Sequence, residues 1–296
     1  MTYQQFVEAV CSQINSISNG PIYAEVHTST KNNSVEHIGL TIHEAEINIS
    51  PTLYLEEFYT HFLEGCPLLD IVYQILEVYE EIRFEHSWTI DGLLSYDSIS
   101  DRIAFKLIHL QQNLPLLQNV PFVRYQDLVI VFFVLIDIDP CGPGTILITN
   151  EMKNFWKIST DDLYKAALCN TPTLFPSDFR PMCAVVNELL RVPCTGEDYN
   201  DNHMYVLTNS VKHLGASVIL YPNLLETISV QLKEDFYLIP SSIHEFIILP
   251  CSHSPSAREL NEMVQEINET EVPADEFLSD HVYLFSHDCQ KLFIAP

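Results

Sequence analysis

The strongest constraint in this sequence is the unbroken apolar run Leu128-Val129-Ile130-Val131-Phe132-Phe133-Val134-Leu135-Ile136, flanked by Asp127 and Asp137. Branched and aromatic side chains favour an extended backbone, and a run without polar alternation leaves no face for water. A membrane-spanning helix needs roughly 20 apolar residues, about twice what this run offers. Residues 127–139 are therefore expected to form a central strand covered on both faces, and the rest of the chain must supply the covers.

The chain has the material to do so. Of its 296 residues, 47% are hydrophobic and 11% aromatic, so apolar burial can offset the entropy of ordering the chain. A chain of this length buries roughly three quarters of its unfolded surface, enough for one large domain or two modest ones, without a metal or disulfide framework. Eight cysteines (Cys11, Cys66, Cys141, Cys169, Cys183, Cys194, Cys251, Cys289) are scattered with no CxxC spacing. They read as reduced, mostly buried thiols. The N-terminus lacks both a basic start and an apolar signal core, so the expected location is the cytoplasm.

Forty acidic residues against 14 basic ones give a net charge of −26. Such a balance argues against binding nucleic acid or an anionic membrane through bulk electrostatics, and favours a basic protein as partner.

Periodicity and punctuation outline the elements. Phe6, Val7, Val10, Ile14 and Ile17 share a helical face that ends at Asn19-Gly20-Pro21, and residues 22–28 and 35–43 read as a hairpin around Asn32-Asn33. Ser50-Pro51 predicts a helix start, Gly65 a stop, and Leu68, Ile71, Val72, Ile75 and Tyr79 a second helix packed on the first. Ser100-Asp101 predicts a helix with Ile103, Leu107, Leu110 and Leu114 inward. Residues 84–98 read as loop or weak strand.

After the central strand come a turn at 140–144, a strand at 145–149, a capping box at Ser159 and Asp162, and a proline-rich stretch at 171–176. A helix with Met182, Val185, Val186, Leu189 and Leu190 inward follows, then a polar loop at 193–202. The last third reads as strands at 203–208 and 216–221, a helix at 223–231, and two strands spanning 235–250. A helix begins at Ser256 with Leu260, Met263, Val264 and Ile267 inward, and a terminal hairpin pairs 282–285 with 291–294. The expected fold is α+β, a mixed β-sheet flanked by amphipathic helices. Residues 1–120 form a helix, hairpin and helical region and 121–296 an α+β region, or the two make one continuous unit. Val120-Pro121 and Ile239-Pro240 each precede an acidic residue and an apolar strand, too short an echo to establish duplication.

Catalytic residue types crowd at Ser241-Ser242-Ile243-His244-Glu245, between two apolar strands. In regular strand geometry Ser242 and His244 share one face and Glu245 points to the other, so the carboxylate does not orient the imidazole, unless a bulge intervenes. There is no GxSxG elbow. No histidine pair, such as His37 with His43 or His281 with His287, has metal-ligand spacing, so no metal is expected. The turn at 140–144 lacks the spacing of a phosphate loop, and no cofactor is expected. Glu259, Glu262, Glu266 and Glu269 step by three and four residues into one acidic helical stripe, a solvated face or a surface for a basic partner. Lys31-Asn32-Asn33 is either a plain turn or an anion contact.

Four stretches bring a resemblance into view: Lys31-Asn32-Asn33; Ile49-Ser50-Pro51-Thr52-Leu53-Tyr54-Leu55; Gly215-Ala216-Ser217 with Leu220-Tyr221-Pro222; and Leu238-Ile239-Pro240-Ser241-Ser242-Ile243-His244-Glu245. Together they resemble an uncharacterised conserved bacterial protein family, a domain of unknown function found in gut clostridia, over nearly the whole chain. The resemblance implies one conserved unit in a bacterial cytoplasm and names no catalytic residue.

The reading that follows is a soluble, acidic, non-enzymatic protein-interaction module. The alternative is a hydrolase of unrecognised type with its site near Ser242, His244 and Lys31.

Overall fold

The structure, a computed structural model, describes residues 1–18, 20, 22–48, 50–84, 95–138, 142–191 and 203–296. It divides into two compact units. The first comprises Met1–Lys31, Val35–Leu94 and Ile136–Thr145; the second comprises Asn32–Ser34, Ser95–Leu135 and Ile146–Pro296.

In the first unit α1 (Tyr3–Ile17) starts at a capping box in which Thr2 and Gln5 satisfy each other's amides. Strands β1 (Ile22–Thr30) and β2 (Glu36–Glu44) form the expected hairpin. Ser50-Pro51 does not open a helix: Thr52–Tyr54 is a third strand, β3, paired with β2, and α2 (Glu56–Leu63) begins only afterwards. Long-range pairing of Leu53 with Leu40 outweighs the local cap signal. Gly65, at φ 102°, follows the end of α2, and α3 (Leu68–Ile82) buries Ile71, Val72, Ile75 and Tyr79. These side chains meet Phe6, Val7, Val10, Ile14, Leu40 and Ile42 in one core.

In the second unit β4 (Ile103–His109) replaces the helix expected after Ser100-Asp101. Ile103 and Leu107 do fit a helical spacing, but their neighbours Ala104, Phe105 and Ile108 are equally buried, as in a strand covered on both faces. After the short helix α4 (Leu114–Leu117), β5 (Phe122–Tyr125) and β6 (Leu128–Ile138) form a hairpin. The sheet order is β4-β6-β5, with β7 (Gly142–Leu147) also on β6, so the apolar run is the central strand it was expected to be. Val129 and Val131 pack with Ile108, Leu110, Leu117 and Val120 on one face.

Helix α5 (Asn150–Trp156) takes its cap from Thr149, whose side chain accepts the Met152 amide. Helix α6 (Thr160–Leu174) starts at the Ser159–Asp162 capping box and continues through Pro172 into the proline-rich stretch. Strand β8 (Ser177–Pro181) and helix α7 (Met182–Leu190) follow. Val186, Leu189 and Leu190, expected inward, are exposed. The loop expected at 193–202 lies outside the described residues, as does most of the ambiguous stretch 84–98.

The rest of the unit comprises β9 (Tyr205–Asn209), α8 (Leu224–Leu232), β10 (Phe236–Ser242), β11 (Glu245–Pro250), α9 (Ala257–Thr270), β12 (Tyr283–Ser286) and β13 (Lys291–Ile294). Residues 216–221, expected as a strand, lie in a tight 3-10 turn over Gly215–Leu220 with Gly215 through Ile219 buried. The six-stranded sheet runs β13-β12-β10-β11-β9-β8.

The α+β class stands, and every strand pair with a register is antiparallel, in three sheets. Residues 103–109 pair with 128–134, across the boundary expected at 120. Pro121 precedes β5 whereas Pro240 lies inside β10, so the two echoing stretches occupy different strand positions.

Candidate functional site

The polar segment 241–245 closes the hairpin between β10 and β11, the two central strands of the six-stranded sheet. The register shifts between Pro240 and Ser242, and Ser242 pairs with Glu245. A bulge and tight turn therefore replace the regular alternation expected from sequence. The Ser242 Oγ accepts the backbone amide of His244 at 3.0 Å, and Ser241 Oγ donates to Glu245 Oε1 at 3.5 Å. Neither serine is bonded to the His244 ring.

That ring is held by groups distant in sequence. Its Nδ1 accepts the backbone amide of Leu214 at 3.0 Å, and an amide can only donate, so the neutral imidazole carries its proton on Nε2. Nε2 lies 3.7 Å from Glu276 Oε1. One nitrogen is spent on an amide and the other faces a carboxylate, leaving no lone pair to deprotonate a serine. The arrangement lacks the nucleophile–base hydrogen bond on which acyl-transfer catalysis depends. The His213 ring lies 5.0 Å from that of His244. Burial, then the His244 ring and Lys106, hold its pKa below the usual histidine value.

The surrounding backbone is tied together in the same way. Thr208 Oγ1 donates to the His244 carbonyl at 2.7 Å, the Ala216 amide to the Ile243 carbonyl at 3.2 Å, and the Ile243 amide to the Glu276 carbonyl at 2.8 Å. Gly215 is required here: an added Cβ would collide with Thr208 Oγ1, with the His244 carbonyl at 2.5 Å and with the Asn209 amide at 2.8 Å.

Segment 274–277 joins this junction to the hairpin tip at 32–34. Asn33 Nδ2 donates to the carbonyls of Ala274 at 2.9 Å and Phe277 at 2.7 Å, and Asn32 Nδ2 donates to that of Asp275 at 2.8 Å. Asn113 completes the tie, donating to Asn33 Oδ1 at 2.7 Å and accepting the Asn33 amide at 2.9 Å. Asn33 is 9% exposed with φ 59°, a left-handed conformation that asparagine tolerates better than most residues. Asn32 and Asn33 thus act as a structural clamp. Lys31 belongs to the first unit, where its ammonium lies 4.6 Å from the centre of the Tyr54 ring. The contacts of Ser242 and His244 given above all lie in the second unit.

The acidic stripe on α9 is differentiated. Glu259 completes the capping box, accepting Ser256 N at 2.9 Å and Ser256 Oγ at 2.7 Å, and these bonds hold its carboxyl below the usual range. Glu262 pairs with Arg258 at 2.9 Å. Glu266 and Glu269 are exposed. Leu260 and Val264 are buried as expected, but Met263 and Ile267, expected inward, are 51% and 47% exposed. At about 100° per residue, Glu262, Glu266 and Glu269 share a sector, with Met263 and Ile267 on one flank. On the other flank, Gln265, Asn268 and Glu269 line a cavity of about 450 Å³ with Gln112, Phe277 and Asp280.

Sequence reasoning missed Glu276, His213, Asn113 and Asp127. Asp127 accepts Ser279 Oγ and the buried Tyr283 hydroxyl, both at 2.6 Å. Its position just before the apolar run was the available signal. The other three carry none, because each works through a partner at least 30 residues away. Among the described residues no group of three or more His, Cys, Asp or Glu side chains is placed to hold a metal ion, and no helix is long and apolar enough to cross a membrane.

Fold and junction together define an α+β protein whose polar turn at 241–245 is committed to holding backbone segments in place. The chain belongs to DUF5688, a family of unknown function, whose model matches residues 3–287. No curated protein and no solved structure matches it.

Proposed function

We propose that this chain is a protein-interaction module that engages a basic partner through the exposed side of α9. The observation that supports this reading is the composition of that side: Glu262, Glu266 and Glu269 lie beside Met263 and Ile267, two large apolar side chains about half exposed. Carboxylates steer an oppositely charged surface into register, and apolar contacts slow its release. The net charge of −26 extends the same field around the molecule.

The test compares proteins retained from a native lysate by the wild-type chain and by the variant E262K/E266K/E269K. The expected result is a basic partner whose binding weakens as salt rises, is lost in the charge-reversed variant, and dissociates faster from M263S/I267S. A partner bound equally by all three chains and indifferent to salt would overturn the reading.

A further inference from the structure

A second cavity in the second unit, of about 390 Å³, shares no lining residue with the one beside α9. Tyr125 at the end of β5, Tyr164 on α6, Asn223 and Glu226 at the start of α8, and Gln290 and Lys291 at the β12–β13 turn all line it. Residues far apart in sequence are thus gathered around one space. Among the described residues the side chains of Tyr125, Tyr164, Glu226 and Lys291 make no hydrogen bond or ion pair. Asn223 sits at the helix cap position with φ 60° and gives the helix no side-chain bond. Burial, with Tyr164 and Glu226 nearby, pushes the Tyr125 phenol up to about 12, so it stays protonated and able to donate.

These donors and acceptors, part-buried at Tyr125, Tyr164 and Glu226 and exposed at Asn223 and Lys291, stand unspent around a space of ligand size. Lys291 disfavours a cationic ligand and Glu226 an anionic one, so the lining fits a molecule without net charge. The phenols, the Asn223 carboxamide, the ammonium and the carboxylate require that molecule to be rich in both donors and acceptors. The two tyrosine rings add flat apolar faces. We infer that this cavity binds a neutral polyhydroxylated ligand, a mono- or disaccharide, with its C–H faces on the tyrosines and its hydroxyls on Glu226, Lys291 and Asn223.

Isothermal titration of the full chain with a panel of aldohexoses, N-acetylhexosamines and disaccharides tests this, with glycine and glutamate as zwitterionic and anionic comparisons. At least one saccharide is expected to bind with a Kd of roughly millimolar or tighter. Glu226→Gln and Tyr125→Phe, both nearly isosteric, are expected to weaken it about tenfold each while leaving thermal unfolding unchanged. E262K/E266K/E269K should bind the sugar normally, which separates this site from the α9 surface. The inference is overturned if no saccharide in the panel binds, if only the amino acids bind, or if binding ignores both substitutions.

Discussion

Asn33 is the residue at which the local chemistry is most demanding, and its replacement gives a graded test. Its side chain makes three hydrogen bonds, to the Ala274 and Phe277 carbonyls and from Asn113 Nδ2, while its backbone holds φ 59°. Asn33→Gly keeps the left-handed backbone accessible but removes all three bonds, a loss of about 2–4 kcal/mol at roughly 1 kcal/mol each. Asn33→Ala removes the same bonds and adds the left-handed penalty for a Cβ, about 1–2 kcal/mol. Asn33→Asp preserves shape but sets a carboxylate oxygen against two carbonyls, so it should fall at or beyond the alanine variant. Thermal unfolding followed by circular dichroism measures the series. For a unit of this size each kcal/mol moves Tm by about 2–4 °C, so the glycine variant should melt roughly 5–15 °C lower and the alanine variant lower still. An alanine variant within about 0.5 kcal/mol of wild type, or one more stable than the glycine variant, would refute this account of the clamp.

Gly215→Ala should destabilise by about 1–3 kcal/mol through overpacking, and removing the Thr208 hydroxyl in a double variant should not rescue it, because the His244 carbonyl and the Asn209 amide still obstruct the Cβ; denaturant unfolding of both variants decides. Burial lowers the pKa of both His109 and His213 below the ordinary 6.5. The unfolded chain therefore binds these protons first as pH falls, so their contribution is intact above about pH 6.5 and is lost on acidification through the folded-state values; Tm should fall less steeply between neutral and mildly acidic pH in H109Q/H213Q than in wild type. Cys169 and Cys289 are exposed, whereas burial and the neighbouring Asp235 and Glu234 push the Cys251 thiol up to about 11. Ellman titration should accordingly lose a fast-reacting thiol in Cys169→Ser and in Cys289→Ser, and none in Cys251→Ser. Ser256→Ala removes the cap of α9 and should cost about 1 kcal/mol, read as a loss of stability recovered by Ser256→Asp.

What was legible in the sequence is what the chain decides locally. The capping box at Ser159, the helix start at Ser256, the stop at Gly65 and the central strand at 128–138 each depend on neighbours within a few residues, and each stands in the structure. Strand β4 and the turn at Gly215–Leu220 were misread because their apolar content fits helix, strand or buried turn equally well. Pairing of Ile103–His109 with residues 128–134 decides the first, and the close approach at Gly215 the second. Met263, Ile267, Val186 and Leu189 fit the apolar faces of their helices yet remain exposed, since periodicity records which residues could be covered and not what covers them. The division of the strands among three sheets is likewise absent from a hydrophobic pattern.

The candidate site follows the same division. Ser242, His244 and Glu245 are conspicuous as residue types, but their roles are set by the Leu214 amide, Glu276 and a bulge at Pro240. Three of the stretches that carry the family resemblance, 32–33, 215–217 and 241–245, meet in one network through segment 274–277. Each supplies something few residues can replace: an asparagine with two donors at positive φ, a glycine where no Cβ fits, and a histidine whose Nδ1 accepts an amide. A buried carbonyl or amide left unpaired costs about 1–3 kcal/mol, so a junction of irregular segments needs such residues whatever the protein does. That requirement accounts for the polar turn without assigning it a reaction, and it moves the search for function to groups the fold does not consume: the half-exposed apolar side chains and carboxylates of α9, and the unpaired phenols, carboxylate and ammonium around the second cavity.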